Sequence, residues 1–94
     1  MNEVTHVLTK VNKIVEKRDQ THGNFDDNLT MIANLWGTYL GVEISAAQVA
    51  NCMTMLKIAR SAFNPTADDY LDMVGYSAIA AALHEKKLTD NTKD

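Results

Sequence analysis

Cations and carboxylates stand on helix faces of this chain that should be apolar, and they are the residues with chemistry to offer. With successive residues roughly 100° apart around a helix, Arg18 continues the apolar line of Val4, Val7, Leu8, Val11, Ile14 and Val15. Arg60 falls between Met53 and Leu56, and Lys57 lies at the edge of the same arc. Asp69, Asp72 and Tyr76 line up with Met73 and Leu83 on a later segment. A guanidinium turned inward without a partner is very costly. Arg18 and Arg60 therefore need carboxylates or an anionic ligand. Used as a clamp, Arg18, Lys57 and Arg60 would hold phosphate or another oxyanion, the arginines bidentately. His22 and Asn28 would add directional hydrogen bonds, while Asp69, Asp72 and Tyr76 would orient the cations or accept from a sugar or base. The same charges have a structural use. Lys57 and Arg60 paired with Asp72 and Asp69 would tie two helices together, and such networks imitate binding sites. Asp69 and Asp72, at i and i+3, are also spaced to share a metal ion.

Four helices must position these groups. The apolar line above predicts a first helix over about Asn2 to Asp19, followed by a loop over residues 20–24. Leu29, Ile32, Ala33, Trp36, Tyr39 and Leu40 predict a second helix from about Asp26, ended by Gly41. Ser45 followed by Gln48 is a capping box and opens the third helix. Its apolar stripe reads Val49, Cys52, Met53, Leu56, Ala59 and Phe63, and Asn64-Pro65 stops it. Thr66 caps the fourth helix, Asp68 and Asp69 suit its positive first turn, and it is expected to run to about Lys87. That helix is apolar on more than one side from Tyr70 to Leu83, which predicts a central element or one shared with another subunit. Gly75 in its middle costs about 1 kcal/mol relative to alanine, a cost that close approach of another backbone would offset. The expectation is an all-α, four-helix-bundle-like single domain over residues 1–87, homo-oligomeric through its fourth helix, with a disordered polar tail over 88–94.

Composition narrows the function classes. A net charge of −3 argues against general nucleic-acid binding, which needs a basic excess to displace counterions from phosphates. No stretch has the length of a membrane span, and the opening residues lack the apolar run of a secretory signal, so a cytoplasmic location is expected. The single cysteine, Cys52, has no internal disulfide partner and reads as a small core hydrophobe. His6 and His84 read as surface residues. The sequence contains no paired CxxC, HExxH, EF-hand loop, phosphate-binding glycine loop or serine elbow.

The string Arg18, His22-Gly23, Asn28, Ile32-Ala33, Trp36 and Leu40-Gly41, followed by Met55-Leu56-Lys57-Ile58-Ala59-Arg60 and by Asp68 through Tyr76, resembles a family of small phage and prophage proteins of unassigned function. The resemblance covers roughly residues 14–83. It implies a phage origin, hence a host-cell cytoplasm, and an accessory role. A more distant resemblance is to the all-α nucleoside-triphosphate pyrophosphatases of the MazG type, which hold Mg²⁺ on an ExxE and an ExxD motif. Asp69-Tyr70-Leu71-Asp72 stands where the second motif would be, and the first is missing in its usual form. Three functions follow. The first is a protein that binds a nucleotide-like anion through Arg18, His22, Asn28, Lys57, Arg60, Asp69, Asp72 and Tyr76, without a cofactor, and sequesters a host defence signal. The second is a Mg²⁺-dependent pyrophosphohydrolase using Asp69 and Asp72. The third is a module that inhibits a host protein, its charges being internal scaffolding.

Overall fold

The computed structural model describes residues 2–92, apart from the side chains of His22 and of residues 88–92. They form four helices, α1 (Asn2–His22), α2 (Phe25–Leu40), α3 (Ala46–Phe63) and α4 (Ala67–Thr92), and no strand occurs among them. The all-α expectation holds.

Helix α1 runs through most of the expected loop, because nothing before Gly23 breaks it. The Thr21 hydroxyl donates back to the Lys17 carbonyl at 3.0 Å, keeping the last turn helical. Gly23, at φ 81°, then turns the chain in the left-handed region that favours glycine. Asn24 caps α2, its side chain accepting from the Asp26 amide at 2.7 Å. The Asp19 carboxylate reaches across the turn to accept from the Phe25 amide at 3.1 Å. Two of the orphan donors at the start of α2 are thus satisfied from either side of one short turn.

The far end of α2 closes on glycine. Gly41 adopts φ 72°, and the amides of Gly41 and Val42 both donate to the Gly37 carbonyl, at 2.8 and 3.2 Å. A Cβ on Gly37 would sit 2.7 Å from the Val42 carbonyl oxygen, so only glycine lets the chain fold back here. The capping box of α3 is formed as expected: the Gln48 amide donates to Ser45 Oγ at 3.1 Å and the Ser45 amide to Gln48 Oε1 at 2.9 Å. A second box opens α4. The Asp69 amide donates to Thr66 Oγ1 and the Thr66 amide to Asp69 Oδ2, both at 3.2 Å. Helix α4 continues to Thr92, past the expected end at Lys87, since no glycine or proline follows Gly75. Lys93 and Asp94, the last part of the expected tail, lie outside the described residues.

The core gathers Leu29 and Ala33 of α2 with Val49 and Ala50 of α3, and Ile79, Ala80 and Leu83 of α4 pack against it. Helix α4 lies against both α3 and α1. Its apolar breadth is therefore used inside one chain. At Gly75 the close neighbours are the Val11 and Val15 side chains of α1, 3.8 Å from an added Cβ, and not another backbone.

The expected stripe of α3 needs correction. Its inward residues are Val49, Ala50, Met53 and Lys57, while Leu56 is exposed and Phe63 almost fully so. Small Ala50, not Phe63, sets the inward direction, because it lets the neighbouring helices approach. Rotating the arc this way brings Lys57 inward and turns Arg60 out, with its side chain 63% exposed.

Candidate functional site

The groups singled out from the sequence fall into two clusters. The first surrounds a cavity of about 220 Å³ at the α1–α2 turn. Leu29 and Ile32 of α2, Met53 of α3 and Ile79 of α4 give it apolar walls. Arg18, Asp19, Asn28 and Tyr76 supply its polar groups, and Gly23 and Phe25 border it where the chain turns. Each polar group is placed by a local cause. Arg18 and Asp19 ride on the last turns of α1, which persist only because that helix continues to His22. Asn28 sits on the first turn of α2, fixed by the Asn24 cap. Tyr76 is buried next to Gly75, where the Val11 and Val15 side chains of α1 lie against α4.

Arg18 is the distinctive member. Its guanidinium lies 5.5 Å from the centroid of the Tyr76 ring, and Nη1 donates to the Tyr76 hydroxyl at 3.1 Å. This partner is neutral. Among the described residues no carboxylate lies within ion-pair distance of it. The neighbouring Asp19 lines the same cavity, but its Oδ1 is held by the first amide of α2. A guanidinium has five donors in a fixed fork, and one hydroxyl occupies one of them. The cavity thus joins an apolar chamber to a cation that has no carboxylate at ion-pair distance among the described residues.

The second cluster lies between α3 and α4. Lys57 Nζ is 3.0 Å from Asp72 Oδ2, with both side chains mostly buried. Arg60 Nε is 3.6 Å from Asp69 Oδ1. Asp69 is only 3% exposed and holds two partners at once, Arg60 through Oδ1 and the Thr66 amide through Oδ2. Of the residues expected to share one site, Arg18, Asn28 and Tyr76 meet at the cavity, whereas Lys57, Arg60 and Asp69 do not border it. Asp72 borders a shallow groove on the other side of Tyr76, which Arg18 also lines. The side chain of His22 lies outside the described residues. Among the described residues no three His, Cys, Asp or Glu side chains converge to hold a metal ion, and Asp69 and Asp72 are committed to Arg60 and Lys57.

Sequence patterning missed the apolar walls of the cavity and the part played by Asp19. Thr66-x-x-Asp69 is itself a capping-box pattern, and it was the available sign that Asp69 serves the helix start. No helix among the described residues is long and apolar enough to cross a membrane.

No solved structure matches this chain. Among curated proteins it is similar to the Gene 55 protein of Mycobacterium phage L5, 38% identical over 76 residues that cover 78% of this chain and 49% of that protein. It is also similar to the Gene 55 protein of Mycobacterium phage D29, 32% identical over 82 residues that cover 85% of this chain and 54% of that protein. The chain spans about half the length of these relatives. Residues 6–84 match the model of a domain of unknown function, DUF6378, and the chain belongs to that family.

Proposed function

We propose that this protein binds, without turning over, an anionic small molecule of the nucleotide class in the cavity between α1, α2 and α4. The flat apolar part of the ligand lies among Leu29, Ile32, Met53 and Ile79. Its phosphate meets Arg18 at the mouth, and Asn28 and the Tyr76 hydroxyl give it direction. The observation that carries this reading is the state of Arg18, a cation at the rim of an apolar chamber that, among the described residues, donates to a neutral hydroxyl and has no carboxylate at ion-pair distance. At about 220 Å³ the cavity is smaller than the roughly 300 to 1,000 Å³ of typical ligand pockets, so the ligand would place one ring system inside and its charged group outside, at the opening. Similarity to phage proteins adds a setting, in which a nucleotide-derived signal of the infected cell is held and withdrawn from use.

The pyrophosphohydrolase alternative draws no comparable support, since it needs more carboxylates than Asp69 and Asp72 and both already have cationic partners. Thermal melting against nucleoside mono-, di- and triphosphates and cyclic nucleotides, in the presence of a chelator, tests the proposal. A ligand of the native state stabilises it by about 2.7 kcal/mol at a hundredfold excess over Kd. The expected result is a clear rise in Tm with one nucleotide class, with the nucleotide recovered intact. No shift with any member of the panel overturns the reading, and a shift that requires Mg²⁺ and yields product replaces it with hydrolysis.

A further inference from the structure

The cavity beside Arg18 carries a second charged group that has no part in the binding proposed so far. Asp19 follows Arg18 near the end of α1 and lines the same cavity. The two are neighbours in sequence and opposite in charge, yet neither is in an ion pair among the described residues. The Phe25 amide donates to Asp19 Oδ1 at 3.1 Å. That bond pins the carboxylate across the turn between α1 and α2, so it does not fold back on the guanidinium. Its negative charge stays at the cavity wall.

This limits the charge that a ligand can bring. Among the described residues that line the cavity, Arg18 and Asp19 are the charged ones, and their charges cancel. A chain of phosphates needs several cations, a metal ion or a row of free backbone amides. The wall supplies one cation. Among the described residues no three His, Cys, Asp or Glu side chains converge to hold a metal. The start of α2 borders the cavity, but its Phe25 and Asp26 amides are taken by Asp19 and Asn24, and Asp26 and Asp27 fill its first turn. A first anionic charge is drawn to Arg18. Each further charge gains nothing from a pair that cancels, and it meets both a carboxylate and the field of a chain that carries −3. A terminal monophosphate already brings about −1.5 to −2 near neutral pH, and longer phosphate chains bring more. A phosphate diester brings a single charge and matches the one cation.

We infer that the ligand is a nucleotide with a single negative charge, its phosphate a diester as in a cyclic mononucleotide, and that Asp19 turns more highly charged nucleotides away. This rests on the nucleotide reading of the cavity and narrows it to one charge class. Calorimetric titration in the presence of a chelator compares the cyclic monophosphate, the linear monophosphate and the triphosphate of each base. The cyclic form is expected to bind at least about tenfold tighter than the triphosphate, as several further charges beside one carboxylate imply, with the linear monophosphate between them. Asp19→Asn keeps an acceptor for the Phe25 amide and removes the charge. It is expected to narrow the gap at least about threefold, chiefly by strengthening triphosphate binding. Raised salt should narrow the gap in wild type as well, by screening the carboxylate. A triphosphate that binds as tightly as the cyclic form overturns the inference and leaves the nucleotide reading standing. So does a gap that Asp19→Asn leaves unchanged or, should that variant not fold, a gap that salt leaves unchanged. Absence of binding by every nucleotide overturns the nucleotide reading itself, and this inference with it.

Discussion

The cavity beside Arg18 and the charged seam between α3 and α4 draw on the same residue types and put them to opposite uses. In the seam each cation has a carboxylate: Lys57 has Asp72, and Arg60 has Asp69. Asp69 also closes the capping box of α4, so it couples the start of that helix to the end of α3. At the cavity, Arg18 donates to Tyr76 and has no carboxylate at ion-pair distance among the described residues. Composition does not separate the two regions, since both mix basic, acidic and neutral polar groups. The difference is compensation. Charges that satisfy one another hold helices together, and a charge left with a neutral partner beside an apolar chamber is available to something outside the chain.

The comparison is sharpest where a substitution moves stability and binding apart. Asp69→Ala is expected to have the largest effect on stability. It removes the carboxylate that accepts from the Thr66 amide, a hydrogen bond to a charged group worth about 1.5–3 kcal/mol, while Thr66 Oγ1 still caps the backbone amide of residue 69. The exposed Arg60 contributes little to that sum, because solvent screens its half of the pair. A total near 2 kcal/mol should lower Tm by roughly 8–16 °C at 4–8 °C per kcal/mol, as read by calorimetry. A shift of a degree or two would show that the box and the ion pair do not organise α4.

A smaller effect is expected at the inner pair. A double-mutant cycle of Lys57→Ala and Asp72→Ala should give a coupling of about 1 kcal/mol in urea unfolding, at the top of the usual range for exposed pairs because both side chains are mostly covered. Absence of coupling would separate the two residues and return Asp72 to the candidate ligand groups. Gly75→Ala lies between the regions and should stabilise slightly, by up to about 1 kcal/mol of helix propensity. An added Cβ there meets Val11 and Val15 at 3.8 Å, ordinary contact distance. A destabilised Gly75→Ala would mean that α1 sits closer to α4 than this packing implies. Arg18→Ala should change stability least, within about 0.5 kcal/mol, as for an exposed residue whose structural partner is a single neutral hydroxyl. A large loss would make Arg18 part of the scaffold and remove the contrast.

Much of the fold was legible before the structure. The Ser45–Gln48 box, the Asn64-Pro65 stop, the Gly41 terminus and the inward positions of Asp69, Asp72 and Tyr76 all follow from local chemistry that the sequence carries. The site was legible only in part. Placing Arg60 inward depended on treating Leu56 and Phe63 as the centre of a stripe, whereas Ala50 and Met53 define it. A helical wheel weights residues by hydrophobicity, but close packing is decided by which residue is small enough to admit a neighbour. The end of α1 was read too early because polar residues 20–22 imitate a loop, although only Gly23 obliges the helix to stop. The two pairings of Lys57 and Arg60 were foreseen as one of two uses, and tertiary geometry alone separates those residues from Arg18.

The most direct test of the contrast is a calorimetric titration of wild type, Arg18→Ala and Asp72→Ala with the nucleotide that raises Tm most. The account predicts binding by wild type, binding weakened at least tenfold by Arg18→Ala, as follows from losing a charge-assisted contact of about 1.5–3 kcal/mol, and near-normal binding by Asp72→Ala despite its lower stability. Full binding by Arg18→Ala together with loss in Asp72→Ala would contradict it, and would place the ligand in the seam between α3 and α4.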